Sequence, residues 1–240
     1  MVNGYLWDGS AIDVFRVYSI ILVLEGSYML FGNYSNKPLA DMARIAVRST
    51  GNFNWTFIAI LAFVVYVYAS EYQRKNFSGI AAGLALYMVH WLYEIANAII
   101  CAVTGYALWT VSAQSTSFIL LIGVSWELSM MFSIAGLATH KLLPDDPKKK
   151  IFGVNNRVLF AVANAALFSL VEIFLASTPA FIWVYPWWGA LPVFITTYIP
   201  FFLAAFLVPD TKPKTQKLFI GCLALLNIVL LCIFIPLGMI

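Results

Sequence analysis

Seven runs of about twenty mostly apolar residues, at 15–32, 54–71, 80–107, 117–139, 157–177, 187–208 and 217–239, leave this chain few possible folds. A helix needs about 20 residues to cross roughly 30 Å of hydrocarbon. Only a helix or a closed barrel satisfies its own backbone there. The expected fold is all-α, a polytopic integral membrane bundle of about seven transmembrane helices forming one domain over residues 1–240. Composition agrees: only 10% of residues are charged and 62% are hydrophobic, against about a quarter charged in an average soluble domain. The lipid bilayer is the expected surrounding. The net charge of +3 sits in loop lysines and arginines and calls for no nucleic acid partner.

Those basic residues sort by loop. Arg74 and Lys75 lie in the second loop, Lys141, Lys148, Lys149, Lys150 and Arg157 at the fourth, and Lys212, Lys214 and Lys217 at the sixth. By the positive-inside rule the even loops are cytoplasmic, which puts the N-terminus in and the C-terminus out. The first loop is the exception, with Lys37, Arg44 and Arg48. Its PLADMARIAVRS stretch reads either as an amphipathic helix on the outer surface or as an ordinary ordered loop. The fifth loop, STPAFIWVYPWWGALP, reads either as an interfacial aromatic belt or as a lid over an intramembrane cavity. Pro192 and Pro200 are expected to kink the sixth span and free backbone carbonyls.

The third span carries the most polar stripe. Tyr87, His90, Glu94, Asn97, Cys101 and Thr104 recur in steps of three and four, so a helix sets them on one face. Three more carboxylates fall inside apolar runs: Glu25 in the first, Glu127 in the fourth and Glu172 in the fifth. Each acid at a helix centre costs about 2.5–3.5 kcal/mol on insertion, roughly 10 kcal/mol for all four. No Lys or Arg lies mid-span to neutralise them, and His90 is the sole nearby group able to carry positive charge. Either these carboxyls are protonated or they bind a cation.

Protonated carboxyls in an apolar pocket suit proton donation and removal on a lipophilic substrate. Glu94, Glu127, His90, Glu25 and Glu172 are the candidate catalytic residues. Tyr87, Asn97, Tyr28, Asn164, Trp91 and Trp126 are the candidate substrate-binding residues. The aromatic rings would stabilise a carbocation through their quadrupoles. A di-iron bundle site needs Glu-x-x-His twice. Here His-x-x-x-Glu occurs once, so neither a metal centre nor another cofactor is expected. A proton- or cation-coupled transporter, or an accessory subunit of a membrane complex with protein partners of its own, is the rival reading.

His90-Trp91-Leu92-Tyr93-Glu94, with Glu127 on the next predicted helix, resembles the emopamil-binding-protein-type sterol isomerases. The resemblance implies that the His-x-x-x-Glu and the later Glu protonate a double bond and take up a proton elsewhere. Trp126-Glu127-Leu128, the chain length and the seven spans are similar to the small integral-membrane terpene cyclases. Both resemblances imply proton-initiated chemistry on an isoprenoid.

Overall fold

The computed structural model describes residues 37–240 apart from 54, 113–115 and 117. The first apolar run, with Glu25 and Tyr28, lies outside the described residues. The rest is mostly helical. In chain order the helices are α1 (Lys37–Ala46), α2 (Thr56–Gln73), α3 (Phe77–Thr104), α4 (Trp126–His140), α5 (Asn156–Ala176), α6 (Ala190–Leu207) and α7 (Pro213–Phe234). Five of these, α2, α3, α5, α6 and α7, are long and apolar enough to cross a membrane. The protein is an integral membrane protein.

The first loop forms helix α1. It turns Ala40 and Ala43 inward and leaves Leu39, Met42 and Ile45 exposed. Arg44 ties it to the end of α3 by donating to the Gly105 carbonyl.

The fourth apolar run departs from expectation. Helix begins at Trp126, not near 117, because the run is interrupted by an antiparallel hairpin of β2 (Ile119–Leu121) and β3 (Val124–Ser125). Ser125 then caps the helix, its hydroxyl accepting from the Leu128 N–H. An apolar run alone does not distinguish a buried strand from a helix. At 15 residues α4 is about 22 Å long, short of the hydrocarbon thickness. It packs closely on α3, where small residues let backbones approach. A Cβ at Gly136 would sit 2.5 Å from the Ala82 carbonyl oxygen.

Short strands join the mostly helical fold at the same end of the bundle. β1 (Trp109–Val111) in the third loop pairs antiparallel with β6 (Phe181–Trp183) in the fifth, with Trp109 opposite Trp183. This ribbon draws two uncharged loops together over the ends of α3 and α5. A third pair, β4 (Lys150–Ile151) with β5 (Val154–Asn155), shapes the turn before α5.

α6 contains a π-helical turn at Phe194–Tyr198. Pro200 has no N–H to give the Thr196 carbonyl, and Tyr93 Oη donates to that oxygen at 2.8 Å instead. Pro192 lies in the first turn of α6, where its missing donor costs nothing. It therefore does not kink the span, and the irregularity belongs to the stretch before Pro200.

At the opposite end, Glu71 on α2 is buried and accepts from Lys141 and Asn76. Arg157 on α5 donates to Asp210 Oδ2 at 2.7 Å and to the Pro144 carbonyl at 2.7 Å. These pairs bind the second, fourth and sixth loops into one charged end. Asp210→Asn removes the countercharge of a buried guanidinium and is expected to cost about 2 kcal/mol. Thermal unfolding in detergent measures it.

Candidate functional site

The α3 stripe is only one wall of the site. A cavity of about 290 Å³ lies between α3, α4, α5 and α6, at the end closed by the β1–β6 ribbon. His90 and Glu94 enter from α3, Glu172 from α5, Thr197 and Tyr198 from the π turn, and Trp109 from β1. Apart from these groups the lining is Leu, Met, Phe and Val, and among the described residues no Lys or Arg lines it.

The two carboxyls are held differently. Glu172 has a donor on each oxygen: Trp183 Nε1 at 2.7 Å on Oε1 and Tyr198 Oη at 2.5 Å on Oε2. An indole N–H only donates, so Oε1 must accept. Glu94 has looser company. Trp109 Nε1 splits between its two oxygens at 3.3 Å each. His90 Nε2 comes within 3.3 Å of Glu94 Oε1. That approach is not aligned as a hydrogen bond, and neither ring nitrogen of His90 has a hydrogen-bond partner among the described residues.

His90 is 1% exposed, with its ring stacked 4.2 Å from Phe132 and 6.2 Å from Tyr87. Unpartnered polar atoms in a protein interior cost about 1–3 kcal/mol each. Thr197 Oγ1, in the same cavity wall, is also unpartnered among the described residues. A polar group of a ligand, or an ordered water in the cavity, would pair these atoms. Among the described residues, no three His, Cys, Asp or Glu side chains are grouped to hold a metal ion.

The other sequence candidates serve different ends. Glu127 does not line the cavity. It lies in the first turn of α4, where the helix dipole favours a carboxylate, and accepts from Thr116 Oγ1 at 2.6 Å. Its mid-span placement rested on a helix over 117–139, whereas the helix begins at Trp126. Asn97 bridges α3 to the strand above it: its Nδ2 donates to the Trp109 carbonyl at 2.9 Å, and its Oδ1 accepts from the Leu108 N–H at 2.8 Å. It thereby holds Trp109 over Glu94.

Tyr87 backs His90 and shares a 2.8 Å hydrogen bond with Ser129 Oγ. Asn164 donates back along its own helix to the Phe160 carbonyl. Trp91 stands edge-on to Tyr87, and Trp126 stacks on Phe57. None of these last four lines the cavity.

Sequence reasoning missed Trp109, Tyr198 and Thr197. The aromatic fifth loop and the prolines of the sixth span were the signals available. The fifth loop does wall the site, since Trp183 holds Glu172 and Trp188 stacks at 5.6 Å on Trp109.

Asn97→Leu strands a buried carbonyl and a buried N–H. It is expected to cost about 2 to 4 kcal/mol, a fall in Tm of about 4 to 16 °C at this chain length.

Residues 37–236 match the model of a family described as an uncharacterized membrane protein family. The chain belongs to that family. An uncharacterized protein of Archaeoglobus fulgidus is 40% identical over 200 residues, covering 81% of this chain and 94% of the relative. No solved structure matches. The matched region contains α1 to α7 and every cavity residue named above.

Proposed function

We propose that this protein is a membrane-embedded acid–base isomerase or cyclase acting on a lipophilic, isoprenoid-like substrate. One observation carries the reading: Glu94 and Glu172 share an apolar cavity with His90, whose ring nitrogens have no hydrogen-bond partner among the described residues, and among those residues no Lys or Arg lines it. Two carboxyls in different environments are the usual means of separating an acid from a base.

Glu94, loosely held, gives its proton to a substrate double bond, and a carbocation forms on the neighbouring carbon. The rings of Trp109, Phe132, Phe168, Tyr198 and Phe201 stabilise it through their quadrupoles. Glu172, an acceptor on both oxygens, then removes a proton from an adjacent carbon and the shifted double bond closes. Proton return from Glu172 to Glu94 resets the pair, beside His90 Nε2 at 3.3 Å from Glu94 Oε1. Glu127 has no part in the transfer under this proposal, so the likeness to the sterol isomerases rests on His90 and Glu94.

The proposal also takes the bundle as seven spans, counting the run at 15–32 and the short α4 together with the β2–β3 hairpin before it, with the Lys- and Arg-rich end cytoplasmic. The test is turnover of candidate isoprenoids by Glu94→Gln and Glu172→Gln in membranes. Full activity in both, with normal unfolding, sinks the reading. Substrate-dependent proton flux in liposomes would favour the carrier instead.

A further inference from the structure

The cavity is small, and it has a mouth. Its 290 Å³ is room for about ten water-sized groups, far less than a long isoprenoid or sterol. Consecutive helices α4 and α5 hardly touch each other; both pack on α6 and leave a cleft between them. Met131 on α4 and Leu167 and Val171 on α5 line the cavity, yet they are 37%, 55% and 45% exposed. A residue that lines a cavity and is also exposed stands at its opening.

The opening is apolar. Leu170 and Phe174 continue the exposed surface of α5 beside it, and this helix is long and apolar enough to cross the membrane. The mouth therefore faces hydrocarbon, not water. Behind it stand two carboxyls and, among the described residues, no Lys or Arg, so a phosphate or carboxylate head group would find no fixed counter-charge there.

We infer that the cavity takes the uncharged terminus of a long lipid end-on, while the remaining chain lies in the bilayer through the α4–α5 mouth. What happens to that terminus rests on the acid–base reading. Tail held in lipid gains and loses nothing on binding, since lipid hydrocarbon is as apolar as the mouth. Selectivity is therefore set by the first ten or so non-hydrogen atoms and by absence of charge. A diphosphate end is excluded, and a neutral alcohol or alkene end is accepted.

The experiment compares equilibrium binding of a ten-carbon and a twenty-carbon isoprenoid alcohol to purified protein in nanodiscs. Wild type is expected to bind both and to reject the ten-carbon diphosphate, whose charge would have to lie in the cavity or its mouth. Leu167→Trp narrows the mouth: the long alcohol, whose chain must occupy it, is expected to weaken at least tenfold, and the short one by less than threefold. Met131→Trp, on the opposite rim, gives the same result should the first variant fold poorly.

A photoreactive phenylalanine analogue at position 167 is expected to form lipid adducts. Adducts instead to residues 15–32 would mean that protein covers the mouth, and overturn the inference. So would equal effects on both alcohols, or no binding of either by wild type. These readouts need no turnover. An active Glu94→Gln with the expected binding pattern sinks only the acid–base reading, whereas an inactive Glu94→Gln with unchanged Leu167→Trp binding sinks only the mouth.

Discussion

Glu94→Gln is expected to lower turnover by about 10²- to 10⁴-fold, the usual worth of a positioned proton donor. The amide keeps the shape of the side chain and still offers an oxygen to Trp109 Nε1, which now divides its hydrogen bond between two carboxyl oxygens. Stability should therefore change by only about 1 kcal/mol. Activity falls while the fold stays, and the pair of measurements separates chemistry from packing. Glu172→Gln should lose activity on the same scale. There Trp183 still finds an acceptor, but the new NH₂ meets the Tyr198 hydroxyl, which must turn to accept where it now donates. Loss of one limb of the pH–rate profile in each variant is the accompanying sign.

Gly123→Val is expected to damage both fold and site. Gly123 sits in the β2–β3 hairpin, and a Cβ there would lie 2.5 Å from Glu94 Oε2, Asn97 Nδ2 and Trp109 Nε1 alike. The backbone at this glycine is not left-handed, so the penalty is steric alone. Overpacking costs about 1–3 kcal/mol, and displacing Asn97 from its two backbone partners adds about 1–3 kcal/mol. A total near 4 kcal/mol follows. Shifting Glu94 by about an ångström also costs activity about 100-fold. Gly123→Ala should show a weaker form of both losses. Gly221→Ala, where a Cβ meets nothing within 4 Å, is the control and should leave turnover unchanged without lowering Tm, Ala being the better helix former. Equal behaviour of Gly123→Ala and Gly221→Ala would contradict the packing around Glu94.

Membrane residence, five of the spans and the α3 stripe were legible from the sequence. Hydrocarbon accepts only backbone that bonds to itself, so length and hydropathy suffice to mark a span. Period then assigns a face: His90 and Glu94, four apart, had to share one. The isolation of Glu172 from any basic residue within its apolar run was equally visible, and it does join the cavity. Glu127 was a different case. Its apolar surroundings read as a span, but a glycine turn and a serine cap placed it at a helix start.

What the chain order alone determined, then, was which segments enter the membrane and which polar groups enter with them. The tertiary structure decided which of those groups meet. Trp109 and Trp183 lie in loops 74 residues apart and reach Glu94 and Glu172 because β1 pairs with β6. Tyr198 points into the cavity because α6 carries a π turn ahead of Pro200. Strand pairing and helix irregularity depend on partners distant in sequence, and hydropathy has no term for them. That is why one wall of the site could be read in advance and its donors, its roof and its mouth could not.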